Sequence, residues 1–178
     1  MIYTSHYISP LGELLLAGDD EGVTGLWFAQ GGRYVGLGLS RSAVPCETED
    51  IEQAKSWLDL YFAGRDPGPL PRLHLTGSAF RRRVGEILCE IPYGETLTYG
   101  QIAARIAKER GLDRMSAQAV GGAVGRNPIC ILVPCHRVVG ADGSLTGYGG
   151  GILRKKALLE LEGVDTGRFT VPKKGTAL

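Results

Sequence analysis

The chain has 178 residues and 43% hydrophobic content, enough to bury one core or two small ones. Its apolar runs are far too short to cross a bilayer, and Met1-Ile2-Tyr3-Thr4-Ser5 carries no signal-peptide pattern. A membrane or secretory role is therefore set aside and a cytoplasmic protein expected. The net charge of +1 conceals an asymmetry, five Lys/Arg against ten Asp/Glu in residues 1–75 and fifteen against nine in 76–178, which assigns any polyanionic partner to the back half.

In chain order, Leu14-Leu15-Leu16-Ala17 and Val23-Thr24-Gly25-Leu26-Trp27-Phe28 are strand-like runs split by the turn signal Gly18-Asp19-Asp20-Glu21-Gly22. Residues 50–62 have helical spacing, with Ile51, Ala54, Leu58 and Phe62 inward and Gly64 placed to terminate the helix. The segment Arg65-Asp66-Pro67-Gly68-Pro69-Leu70-Pro71 reads as a linker, so residues 1–75 form a small α/β domain. The back domain, 76–165, is mainly helical. Ser78 caps a helix running to about Cys89, Thr98 a second that carries Ile102, Ala103 and Ile106, and Ser116 a third that includes Ala117 to Val120. The last two have the outline of a helix-turn-helix. Gly121-Gly122 inside the third helix is costly by propensity and fits either a close approach to that backbone or tight helix packing. The run Ile131-Leu132-Val133 is strand-like and stops at Pro134. A glycine-rich loop follows over 140–151, then a helix over 152–162 ended by Gly163, and a mobile tail over 166–178.

The four cysteines, Cys46, Cys89, Cys130 and Cys135, show no C-x-x-C pair or zinc-finger spacing and read as reduced thiols. Cys135 stands apart. A lone cysteine near a strand is usually a small core hydrophobe. Here it lies between Pro134 and the ionisable pair His136-Arg137, which an apolar core would reject and whose charge can stabilise a thiolate. Adjacent residues do not face each other on a strand or helix, so His136 reaches Cys135 through a water or only after the chain turns.

Pro134-Cys135-His136-Arg137-Val138, preceded by Gly125-Arg126-Asn127-Pro128 and followed by Tyr148-Gly149-Gly150-Gly151 and Leu158-Leu159-Glu160-Leu161-Glu162-Gly163, resembles the O6-alkylguanine-DNA alkyltransferases, or methylated-DNA–protein-cysteine methyltransferases. The run 91–103, Ile-Pro-Tyr-Gly-Glu-Thr-Leu-Thr-Tyr-Gly-Gln-Ile-Ala, and the opening Ser9-Pro10-Leu11-Gly12 are similar too. The resemblance implies a ribonuclease H-like α/β front domain and a helical back domain whose helix-turn-helix enters the DNA minor groove. It also implies a flipped-out guanine and irreversible transfer of its O6-alkyl group to the protein, once per molecule, and leaves open whether O4-alkylthymine is a substrate as well. Carried over by position, Cys135 is the acceptor, His136 its base through a water, and Glu162 the group that orients His136. Asn127 braces the turn, and Tyr99 moves the 3′ phosphate aside and protonates the leaving oxygen. Val133, Tyr148 and Gly149 line the guanine pocket, while Ser116, Ala117, Gln118, Ala119, Gly121 and Arg126 meet DNA. The expected partner is double-stranded DNA containing O6-alkylguanine, met by a monomer without cofactor.

The chemistry of the residues agrees, since displacement at an sp³ carbon suits a thiolate and a hydroxyl donor assists the leaving oxygen. Three positions depart from the family. Gln118 stands where an arginine often fills the gap left by the flipped base, and Gly85 where tryptophan is common. The front half offers only Cys46, His6 and His74 toward the zinc site of some relatives, so no metal is expected. Rival readings are a turning-over cysteine hydrolase, a damage sensor without chemistry, which Cys135 argues against, and a sequence-specific transcription factor. The last is disfavoured because Ala117, Ala119 and Gly121 offer little to base edges.

Overall fold

The computed structural model describes residues 1–32, 35–36 and 39–172. They divide into two units, Met1–Thr76 with Pro128–Leu132, and Gly77–Asn127 with the chain from Val133 onward. The chain passes from one unit to the other between Thr76 and Gly77, and a short later segment, Pro128–Leu132, belongs with the first unit.

In the first unit, β1 (Tyr3–Ser9), β2 (Gly12–Asp19) and β3 (Gly22–Phe28) form an antiparallel meander. The two-residue β4 (Val44–Pro45) adds parallel to β1, giving a mixed sheet in the order β3-β2-β1-β4. Gly22 has φ 141°, and a Cβ there would sit 2.6 Å from the Arg72 carbonyl oxygen. Glycine thus lets the 72–74 segment close on β3, where the Val23 N–H donates to Arg72 O and the His74 N–H to Val23 O. The same edge receives residues 128–130. The Leu26 N–H donates to Pro128 O, and the Cys130 N–H to Leu26 O. Helix α1 (Glu49–Phe62), capped by Thr48, lays Ile51, Ala54 and Leu58 against the sheet as its spacing predicts. Tyr61, not Phe62, takes the fully buried position, while Phe62 stacks on Tyr7.

The second unit begins with α2 (Ala79–Cys89), β5 (Leu97–Thr98), α3 (Tyr99–Glu109) and α4 (Ala117–Gly125). Ser78, Thr98 and Ser116 each accept a backbone N–H at the start of their helix, and Thr98 forms a capping box with Gln101. Helix α4 inserts Val120 and Val124 against α2 and α3, whose inward side chains are Val84, Ile87, Leu88, Ile102 and Ile106. Cutting Ile87, Leu88, Ile102 or Ile106 back to alanine costs about 2–5 kcal/mol. A 3-10 turn (Cys135–Arg137), β6 (Val138–Val139) paired with β5, and α5 (Ile152–Leu161) complete the unit.

Two sequence expectations change here. The run 131–133 is not a strand. Ile131 has φ 68°, the Leu132 N–H turns back to Cys130 O, and the Cys135 N–H turns back to Val133 O, so the chain folds into successive tight turns before Cys135. Of the segment expected as a mobile tail, residues 166–172 are described and are held in place. Asp165 caps a 3-10 turn, Thr166–Arg168, and Thr170 exchanges backbone bonds with Gly143 and Leu145. Val164 and Phe169 there cover an apolar cluster of Val139, Leu145, Ile152 and Leu159, and this burial holds the segment down. Positions 173–178 lie outside the described residues. No helix among the described residues is long and apolar enough to cross a membrane.

Candidate active site

Cys135, His136 and Arg137 lie in one 3-10 turn, which spreads consecutive side chains about 120° apart instead of alternating them. All three are buried, His136 completely. The carboxylate of Glu162, at the end of α5, is the hub beneath them. It accepts from His136 Nε2 at 2.6 Å, from Arg137 Nε at 2.8 Å and Nη2 at 3.0 Å, and from the Gly94 N–H at 3.1 Å. The loop 91–94 serves this hub. Ile91 O accepts from Arg137 Nη1 at 2.6 Å, Tyr93 lies against the guanidinium, and the Tyr93 hydroxyl donates to Leu161 O.

Burial alone would raise the Glu162 pKa, but hydrogen bonds and positive charge from His136 and Arg137 outweigh it and hold the group at about 2. Glu162 is therefore ionised and can only accept, which puts the imidazole proton on Nε2 and a lone pair on Nδ1. Burial is also the main influence on His136, lowering its pKa against the raising effect of Glu162, with Arg137 and Lys155 adding to the fall. The pair is a carboxylate and a neutral imidazole, the form a base requires.

Around this centre, Asn127 Nδ2 donates to Val133 O at 2.9 Å while its own N–H donates to Val124 O, tying the turn to the end of α4. The Val133 side chain is wholly buried, and Tyr148, also buried, sets its ring edge-on to His136 at 6.5 Å. Gly149 is half-buried in the loop that follows. Tyr99 opens α3 and donates its hydroxyl to Thr146 O at 2.7 Å. Burial, then negative charge at Cys135, push the phenol pKa up to about 12, so Tyr99 keeps its proton and remains a donor. Gly147, at φ 79°, allows this contact, since a Cβ there would lie 2.8 Å from the Tyr99 hydroxyl.

The residues assigned to DNA form a separate set. Ser116, Ala117, Gln118 and Ala119 are exposed along the first turn of α4, Gly121 is half-buried beside the Tyr99 ring, and Arg126 is exposed at the helix end. The cluster Arg81-Arg82-Arg83 splits. Arg83 is bound to Glu86 and Glu109, and Arg82 donates to Gly77 O.

Two charged residues gain roles that the sequence reading did not give them. Arg137, read as a cation beside the thiol, has its guanidinium spent on Glu162. Lys155 is fully buried and donates from Nζ to Thr146 O at 2.8 Å and to Val138 O. Its signal was present in the sequence, since Lys155 falls three residues after Ile152 and three before Leu158, on the helix face that turns inward. Among the described residues no three His, Cys, Asp or Glu side chains group as a metal site.

An α/β domain is thus followed by a helical domain that holds a buried thiol, a neutral imidazole and an ionised carboxylate together. Residues 79–164 match the family described as 6-O-methylguanine DNA methyltransferase, DNA binding domain, and residues 2–70 match its ribonuclease-like domain. The chain belongs to the 6-O-methylguanine DNA methyltransferase family. It is 43% identical over 162 residues to the methylated-DNA–protein-cysteine methyltransferase of Methanosarcina acetivorans, covering 91% of this chain and 99% of that protein. The protein of the same name from Mycobacterium leprae is 44% identical over 164 residues, covering 91% and 93%. The crystal structure of the Mycobacterium tuberculosis O6-methylguanine methyltransferase superposes with a TM-score of 0.74 at 41% identity, over 98% of this chain and 97% of that one. The M. tuberculosis protein in complex with DNA gives 0.72 at 41% identity over 94% of each chain.

Proposed function

We propose that this chain repairs DNA by direct reversal, moving an alkyl group, chiefly methyl, from O6 of guanine to Cys135 Sγ. The observation that carries this reading is the buried Cys135-His136-Glu162 arrangement, in which an ionised carboxylate keeps the imidazole neutral and aimed. His136 Nδ1 takes the thiol proton through a water. The thiolate attacks the sp³ carbon, the S–C bond forms as the C–O6 bond breaks, and the electron pair remains on guanine, which is protonated by the Tyr99 hydroxyl. The thioether product has no route back to a thiol, so each molecule acts once. O4-alkylthymine is accepted by the same chemistry.

For DNA, α3 and α4 act as a helix-turn-helix, with α4 in the minor groove and the damaged guanine flipped toward Cys135. The exposed small residues along α4 support this, because they let the backbone approach closely. Gln118 occupies the gap left by the base, Arg126 meets phosphate, and Tyr148, Gly149 and the Val133 backbone line the pocket of the monomer.

The test is the intact-protein mass after mixing with a duplex containing one O6-methylguanine. One methyl is expected on Cys135 and none on Cys46, Cys89 or Cys130. Burial of Cys89 pushes its pKa up to about 11, which leaves little thiolate there. Cys135→Ala should bind DNA and transfer nothing. Repeated turnover, or methyl on another cysteine, overturns the reading.

A further inference from the structure

Lys155 is a buried cation with no carboxylate. Its Nζ meets only the carbonyls of Thr146 and Val138, and no acidic side chain pairs with it among the described residues. Charges on the neighbouring elements are otherwise balanced. Glu162 is matched by Arg137 and further held by His136 and the Gly94 N–H, His136 is neutral, and Tyr99 keeps its proton. The site therefore holds one positive charge more than its carboxylates neutralise, and an ammonium in such a place needs an anion. Helix α5 packs against the turn that carries Cys135. Burial pulls the Lys155 pKa down to about 8, while negative charge on Cys135 pushes it the other way, so the two groups feel each other's charge.

We propose that the Lys155 ammonium is the counter-charge of the Cys135 thiolate. It is a positioning residue that acts through the nucleophile and never touches substrate. The inference rests on the function proposed above and assigns to Lys155 the electrostatic part that Arg137, committed to Glu162, does not supply. Lys155 has a second effect through geometry, because Thr146 O accepts from both Lys155 Nζ and the Tyr99 hydroxyl, so the ammonium also fixes where that hydroxyl points. Loss of this clamp would slow transfer equally at every pH. Loss of the counter-charge would instead move the pH profile.

The experiment compares the full-length protein with Lys155→Met, using iodoacetamide labelling of Cys135 as a probe that needs no DNA, and single-turnover methyl transfer from an O6-methylguanine duplex. The variant's profile should shift upward by at least about one pH unit, making it roughly tenfold slower near pH 6.5 and within about threefold of the parent near pH 9.5. An unmoved profile, or equal slowing at all pH values, overturns the proposal. If Lys155→Met does not fold, NMR titration of Lys155 in the parent and in Cys135→Ala decides. The lysine pKa should fall by about one unit or more in Cys135→Ala, and an unchanged value overturns the assignment. Failure of the parent to take methyl on Cys135 would instead sink the repair reading, while the iodoacetamide profiles would still judge Lys155.

Discussion

Glu162 does more than orient a histidine, because four hydrogen bonds converge on its two oxygens and one of its partners is a buried guanidinium. Glu162→Gln removes the charge that Arg137 needs and leaves that cation buried without an anion. Unfolding by denaturant should show a loss of about 3–5 kcal/mol. The pH dependence has a definite direction. His136 and Glu162 both have pKa values below their ordinary 6.5 and 4.5, so below those values the unfolded chain binds more protons than the folded one. Their stabilisation is complete above those values and is lost on acidification, His136's share beginning below 6.5 and Glu162's between 4.5 and about 2. For Glu162 that window is worth about 3 kcal/mol. Unfolding free energies measured from neutral to acid pH should fall in both windows, and in Glu162→Gln the lower fall should vanish. An acid limb unchanged in that variant would show that other carboxylates control it.

At the scale of elements, α4 presents a chain of small or short residues to solvent at some cost to its own stability. A Cβ on Gly122 would meet nothing within 4 Å, and one on Gly121 would touch the Tyr99 ring at an ordinary 3.7 Å, so neither of the two causes read from the sequence is visible within the protein. Gly122→Ala should therefore gain about 0.5–1 kcal/mol in thermal or denaturant unfolding. If DNA approaches that backbone, the same variant should transfer methyl from a duplex more slowly yet react normally with free O6-benzylguanine. Gln118→Ala should show the same split, because only duplex DNA requires a base to be held out of the stack. Equal slowing on both substrates would place these residues in the fold or pocket instead. The caps of this unit were readable in the sequence because Ser78, Thr98 and Ser116 act on N–H groups three residues away. So were Cys135, His136 and Glu162, through the resemblance. What depended on distant partners was not readable. Strand β1 mixes polar and apolar residues without clean alternation, Pro128–Leu132 pairs with β3 a hundred residues earlier in the chain, and Ile131 adopts a φ its side chain disfavours. The inward position of Lys155 was readable from its spacing on α5, but the carbonyls that satisfy its ammonium come from two other segments and were not.

For the whole molecule, the basic excess of the back half is smaller than its count suggests, because much of it is already answered. Arg83 and Arg105 share Glu86, Glu90 and Glu109 across α2 and α3, Arg137 holds Glu162, and Lys156 faces Glu160. Exposed pairs of this kind contribute only about 0.2–1 kcal/mol each to stability, but they remove those cations from the field a polyanion meets. Arg114 and Arg126 differ. Both are exposed, one just before α4 and one just after it, and among the described residues neither has a carboxylate partner. They flank the helix proposed to enter the groove, one on the approach to each end, where phosphates would pass. Binding of the full-length protein to undamaged duplex should therefore depend on salt as a contact with two or three phosphates would, with a slope of log K against log salt of about −2 to −3. Arg114→Ala and Arg126→Ala should each flatten that slope by about one and weaken binding alike on every sequence. Arg83→Ala should leave the slope unchanged while lowering stability slightly, because its charge was never available to DNA. A slope that flattens with Arg83→Ala and not with Arg126→Ala would place the DNA along α2 and remove α4 from the groove.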